Sequence, residues 1–460
     1  MDALTVFLAP AAHALAERLH AELRAEWEAL TGPTPPQGRA PDVPASFRAA
    51  PVPDDLRTRR AELIVEASDA VSLRAALRGD ADAVVVDFDD TFSPTPENVA
   101  RAYALLADEV GRSEGALLCR PRALYATEPH LNFGGPAIAA LCDLAAALTA
   151  RPERPLHLYV PKLETVAEAG FWDRAITLAE EALGWAPNTV RVCLQIETFP
   201  GLLNAEALLG VLCRRAYGLN AGRWDYVFSL IKHLGQTRTV PLPPRSGLTM
   251  EMDAMRAYAE GLVQVCRAHG AEAIGGTASF APDPADPQPA LAAVLADKQR
   301  EAAQGFTAAW AGLPELLDPV RQGFQSEGPP PAPVDPTRLA ARLTELPDPG
   351  PLRLGDVREA LDIALGVFAA WYEGRGVLVR QGRIEDTATA ELARAGLWQW
   401  VRVGAALEGG GTLSRERYLA ERRVRMPDGE RPARLLDHLV LAERCPAYFP
   451  QEARRLEEPR

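Results

Sequence analysis

The sequence predicts a parallel (β/α)8 barrel with a helical segment before it and a helical domain after it. Three observations predict this. Short β-branched or apolar runs alternate with helical stretches between two proline-rich connectors. The runs are continuously apolar, as in strands buried on both faces, rather than alternating. The alternation lasts for about 270 residues, a length that suits eight strand–helix units better than a smaller open sheet.

The elements follow in order. Leu15 to Leu30 carries apolar residues at helical spacing among Glu, Arg and His and predicts an amphipathic helix. A Pro/Gly-rich connector runs from Thr31 to Pro44. Strand-like runs are Glu62–Val65, Ala83–Val86, Ala116–Cys119, Leu156–Val160, Val192–Ile196 and Tyr226–Ser229, with a further one near Ala273–Gly276. Pro282–Pro287 reads as a loop inside the domain and Gly328–Pro333 as a semi-rigid interdomain linker. Beyond it the pattern turns helical at Val357–Tyr372, Ala388–Val403, Leu413–Arg423 and Ala433–Arg444, a separate all-helical domain. The boundaries read as 1–58, 59–327 and 328–460.

Composition excludes several function classes. With 49 Lys+Arg against 62 Asp+Glu, the net charge of −13 argues against a broad nucleic-acid footprint or an anionic-membrane anchor. No apolar run approaches the roughly 20 residues of a membrane span. The six cysteines (Cys119, Cys142, Cys193, Cys213, Cys266, Cys445) form no C-x-x-C pair, and the acidic start Met1-Asp2 is unlike a signal peptide. A reduced, cytoplasmic setting is the expectation.

Four strand-like runs lead directly or within two residues into a charged group: Asp87, Arg120, Lys162 and Glu197. In a barrel these strand ends share one rim, where chemistry collects. Asp87-Phe88-Asp89-Asp90-Thr91 resembles the first motif of haloacid-dehalogenase-like phosphatases, although the second acidic pair that family needs follows no convincing strand. Arg120 and Arg122 after a strand can hold an anion or stabilise a developing oxyanion. Glu197 and Asp225, with several waters, suit Mg²⁺; an ion pair of Asp225 with Arg223 is the plainer alternative. Glu385-Asp386 precedes a helix, where N-capping alone would explain Asp386.

Together these segments resemble malate synthase in its shorter A-type form. Gly218-Leu219-Asn220-Ala221-Gly222-Arg223-Trp224-Asp225-Tyr226-Val227-Phe228-Ser229 carries the family's central motif, preceded by Ile196-Glu197-Thr198. Asp87-Phe88-Asp89-Asp90 matches D-F-E-D, while Pro161-Lys162, Gly275-Gly276 and Ala296-Asp297-Lys298 match further pieces. Ile384-Glu385-Asp386-Thr387-Ala388-Thr389-Ala390-Glu391 with Arg394 and Trp398-Gln399-Trp400 matches the family's C-terminal motif.

The resemblance implies a TIM barrel with an N-terminal helical clasp and a C-terminal helical plug, working in the glyoxylate cycle. It implies condensation of acetyl-CoA with glyoxylate, followed by thioester hydrolysis to malate and CoA. On this resemblance Asp386 is the base that deprotonates the acetyl methyl, and Arg120 stabilises the enolate oxygen. Glu197 and Asp225 hold Mg²⁺, and backbone around Gly222, Trp224 and Asp225 grips glyoxylate. Asp87, Asp89, Arg122 and Glu385 stand behind them as supporting groups. The sequence departs from the family at Ala123–His130, at Pro243-Pro244 and at Val377–Gln381, positions that bear on thioester affinity and acyl preference. Cleavage of malyl-CoA or citramalyl-CoA by a related lyase is the first alternative. The phosphatase and a degenerate binding barrel follow. Oligomeric state is not legible in the sequence.

Overall fold

The computed structural model describes residues 7–32, 42–154, 156–325 and 335–457. The Gly328–Pro333 linker, the Met1-Asp2 start and most of the first connector lie outside them. The chain forms two compact units, one of 1–222 with 262–331 and the other of 223–261 with 332–460. No helix among the described residues is long and apolar enough to cross a membrane.

The first unit opens with the amphipathic helix Pro10–Thr31, which buries Leu15, Leu19 and Leu23 on one stripe. Its strands are β1 (Ala61–Glu66), β2 (Ala83–Asp87), β3 (Leu117–Arg120), a β4–β5 hairpin (Thr127–Asn132, Pro136–Ile138), β6 (His157–Val160), β7 (Val192–Ile196), β8 (Ala216–Ala221), β9 (Glu272–Ala278) and β10 (Ala308–Ala311). All but the hairpin close into a parallel barrel in the order β1-β10-β9-β8-β7-β6-β3-β2. Every barrel strand contributes to one core cluster: Ile64, Val85, Leu118, Tyr159, Cys193, Tyr217, Ile274 and Trp310. Each such side chain contributes about 1.5–3 kcal/mol on burial. Register sets Glu66 opposite Asp87 and Asp87 opposite Arg120, so the charged strand ends line one rim.

Three barrel-strand assignments differ from the sequence expectation. Tyr226–Ser229 is not a strand but part of the helix Arg223–Leu234. A short apolar run inside a buried helix cannot be told from a strand by periodicity. The true eighth and tenth strands, β8 and β10, are built from Ala, Tyr, Gly, Leu, Asn and Trp and lack the β-branched signal. Tertiary packing selects them: a Cβ at Gly218 would stand 2.9 Å from the Glu272 carbonyl oxygen of β9.

The second unit packs the helices Leu354–Tyr372, Thr387–Val403, Arg431–Val440 and Phe449–Glu457 around Leu361, Phe368, Leu397, Leu436 and Phe449. It is not wholly helical. An antiparallel hairpin, β11 (Leu378–Arg380) and β12 (Arg383–Glu385), turns at Gln381 and Gly382, both at positive φ (49° and 70°). The turn pair Gln-Gly is a weaker sequence signal than Asn-Gly or Asp-Gly, and both strands are three residues long.

Candidate active site

The rim of the barrel is a dense charge network. Asp87, fully buried at the end of β2, holds Arg120 with both oxygens: Arg120 Nε donates to Oδ1 at 2.5 Å and Nη2 to Oδ2 at 2.7 Å. Arg120 Nη1 donates to Asp90 Oδ2 at 2.8 Å. Burial opposes the arginine's charge, yet Asp87 and Asp90 hold its pKa above the usual range. Three of the five guanidinium N–H groups are engaged in this way. Asp87 also accepts from the backbone of Asp89 and Thr91 and from the Thr91 hydroxyl. A carboxylate so saturated is no phosphoryl nucleophile, and the phosphatase alternative fails on that ground.

Lys162 sits two residues beyond β6 at φ 54° and donates to Asp89 at 2.6 Å and to Asp90 at 2.7 Å. Asp89 also accepts the Ala123 N–H at 3.1 Å, so it braces the β3 loop as well as the lysine. Arg122 points elsewhere: it binds Asp143, Glu128 and the Tyr103 hydroxyl and locks the β3–β4 segment. Glu197 follows β7 and accepts the Lys162 backbone N–H at 2.9 Å. Burial pushes its pKa up to about 7, against the pull of Lys162.

The β8 strand ends beside Glu197, where a Cβ on Gly222 would stand 2.4 Å from Glu197 Oε2. Only glycine fits this close approach. Asp225 lies three residues on, in the first turn of the helix Arg223–Leu234. Asp90 and Glu197, both buried, each offer an oxygen within 4.8 Å of the other. An oxygen-only, carboxylate-rich set of this kind suits a hard divalent cation. Asp90 was not among the acids singled out from the sequence, although its place in the Asp-Phe-Asp-Asp run was the available signal.

In the second unit, Asp386 directly follows β12 and N-caps the helix Thr387–Val403. Its Oδ1 accepts the Thr389 N–H at 3.1 Å while its own N–H donates to Thr389 Oγ1 at 2.9 Å. The cap fixes the carboxylate where the helix dipole favours an anion. Glu385 pairs with Arg245, Nη1 to Oε1 at 2.6 Å. The rest of the motif is architectural. Glu391 and Arg394 form a fully buried ion pair, and Arg394 Nη2 donates to the Ala447 carbonyl at 2.6 Å. Trp398 Nε1 reaches the Ala442 carbonyl at 3.0 Å.

A (β/α)8 barrel that gathers carboxylates and a buried arginine at its carboxyl rim is the architecture of a cation-assisted enzyme stabilising oxyanions. The comparisons with known proteins carry the classification further. The family models "Malate synthase, TIM barrel domain" and "Malate synthase, C-terminal" match residues 116–337 and 353–424. Malate synthase of Streptomyces clavuligerus is 35% identical over 404 residues, covering 79% of this chain and 74% of that one. Malate synthase A of Escherichia coli is 29% identical over 408 residues, covering 81% and 75%. The solved pyruvate/acetyl-CoA ternary complex of Haloferax volcanii malate synthase superposes with a TM-score of 0.55 at 15% identity, covering 81% of this chain and 96% of that one, a likeness of fold. The chain belongs to the malate synthase family and is an acyltransferase. The lyase alternative is not favoured.

Proposed function

We propose that the chain condenses acetyl-CoA with glyoxylate and hydrolyses the resulting thioester to malate and CoA, with Mg²⁺ at the rim. The observation that carries the reading is the pair of buried acids Asp90 and Glu197 on the rim that also holds Arg120. Glu197 and Asp225 would hold the cation, with Asp90 as a third acid. Mg²⁺ would supply Lewis-acid polarisation of the aldehyde. Asp386, oriented by its cap, removes a proton from the acetyl methyl, a weak carbon acid that needs a positioned base. Arg120 directs its two remaining N–H groups at the enolate oxygen as charge develops there. Because Asp87 and Asp90 already fix the guanidinium, little reorganisation accompanies that step. Backbone N–H groups around Gly222, Trp224 and Asp225 grip the glyoxylate carboxylate. The Haloferax relative was solved with pyruvate and acetyl-CoA, ligands of the same two chemical kinds.

The test is Asp386→Asn. Thiol release from acetyl-CoA, glyoxylate and Mg²⁺ should fall about 10²–10⁴-fold, the usual worth of a general base. Glyoxylate binding should stay nearly unchanged, and surviving turnover would show that another group is the base.

A further inference from the structure

We propose that Arg245 is a positioning residue for the condensation, a cation that ties the end of β12, where the base sits, to the turn carrying Trp224 and Asp225. The proposal rests on the reading of Asp386 as the base. The segment before Arg245 is strapped along the helix that Asp386 caps. Gln399 Nε2 donates to the Val240 carbonyl at 2.9 Å, the Leu242 N–H donates to Gln399 Oε1 at 3.0 Å, and Trp400 Nε1 donates to the Leu242 carbonyl at 2.8 Å. Pro243 and Pro244 then stiffen the strap, since proline fixes φ and restricts the residue before it. Arg245 emerges at the far end of that helix and meets Glu385, the residue beside Asp386, at 2.6 Å. Its guanidinium carbon also lies 4.8 Å from the Trp224 ring centroid, and that of Arg223 lies 4.0 Å from the same ring.

The pair is unlike the architectural pair nearby. Glu391 and Arg394 are surrounded by partners, with the Phe449 N–H and the Pro446 and Ala447 carbonyls all engaged. Arg245 Nη2 and Glu385 Oε2 are both buried with no hydrogen-bond partner. Arg59 Nη2 and Glu272 Oε2 at the barrel floor are likewise without a partner, so it is the place of this pair, on the residue directly before Asp386, that sets it apart. Arg245 therefore acts by fixing where β12 ends and how the next residue is presented. A misplacement of about 1 Å at a reacting group can cost about 10²-fold in rate.

The experiment compares Arg245→Met, Arg245→Lys and Glu385→Gln with Asp386→Asn, all in the full chain with Mg²⁺, glyoxylate and acetyl-CoA. Arg245→Met should lower kcat about 10²-fold and change either KM less than threefold. With trideuterated acetyl-CoA its isotope effect on kcat should rise, as proton removal becomes limiting. Arg245→Lys should recover about tenfold. Should the Met variant not fold, Glu385→Gln replaces it, with kcat about tenfold down and the same rise in isotope effect. An unchanged kcat, a loss carried by KM, or a lower kcat with an unchanged isotope effect overturns the proposal. If Asp386→Asn stays active, the base reading itself is wrong. If that variant is inactive while Arg245→Met keeps full kcat, only the positioning role falls.

Discussion

The two ends of the barrel bury charge in opposite ways. At the amino end, Arg59 is sealed against Glu62 and reaches Glu272 at 2.8 Å. Neutral donors complete that floor: Tyr159 OH to Glu62 at 2.6 Å, Trp310 Nε1 to Glu62 at 3.1 Å, and Thr307 Oγ1 to Glu272 at 2.6 Å. Its formal charge is 1 − 2 = −1, and burial raises the pKa of Glu62, which eases even that. At the carboxyl end, Arg120 and Lys162 face Asp87, Asp89, Asp90 and Glu197, or 2 − 4 = −2. Trp310 stands between the two, its indole N–H on Glu62 and its ring 5.1 Å from the Arg120 guanidinium carbon. The floor's charges are matched largely by groups the chain itself provides, although Arg59 Nη2 and Glu272 Oε2 have no hydrogen-bond partner. The rim keeps a formal surplus of acid, eased in part where burial raises the pKa of Glu197, and a cation from outside could balance the remainder.

Glu197→Gln tests this contrast hardest. Removing one rim carboxylate should weaken Mg²⁺ or Mn²⁺ binding in calorimetry and lower turnover about 10³-fold, on the order of 4 kcal/mol. Retained cation affinity would mean that the surplus acid serves something else. Arg59→Met is the counterpart at the floor. It leaves Glu62 buried without its cation and should destabilise the chain by about 3–5 kcal/mol in denaturant unfolding. Added Mg²⁺ should not restore that loss, and kcat of the folded fraction should be unchanged. Recovery by Mg²⁺ would erase the distinction between the two ends.

The same contrast governs what the sequence could disclose. The rim was legible because Asp87, Arg120, Lys162 and Glu197 each end a continuous apolar run, and a charge at a buried strand end stands out without any partner in view. The floor was not: Glu62 read as the first residue of a strand, and its donors Tyr159 and Trp310 lie 97 and 248 residues away. Lys162 showed as a charge at a strand end, but its grip on Asp89 and Asp90 depends on barrel closure. β8 and β10 were missed because alanine- and glycine-rich strands are selected by neighbouring backbone rather than by their own propensity. Asp386 was legible both as a cap and, through the resemblance, as a base, and the cap is what the structure displays directly. Arg245 showed only as part of a departure, Leu242-Pro243-Pro244-Arg245, because its partner Glu385 is 140 residues on.

A gentler probe of the rim's surplus is Glu66, which ends β1 opposite Asp87. Burial pushes its pKa up to about 7, with Asp69 and Asp87 adding to the rise and the Ser68 hydroxyl donating against it. Between its unfolded value of about 4.5 and about 7, the folded chain binds this proton more tightly than the unfolded chain does, so stability falls as pH rises through that window. Above pH 7 the ionised carboxylate costs the fold about 2–3 kcal/mol, less than full burial would impose because the group is partly exposed. Glu66→Gln keeps an acceptor for Ser68 and removes the charge. It should therefore stabilise the chain by up to that amount at pH 8 and by almost nothing at pH 4.5, measured by denaturant unfolding at the two pH values. An equal gain at both would trace the effect to packing rather than charge, and the negative excess at the rim would then not extend to the end of β1.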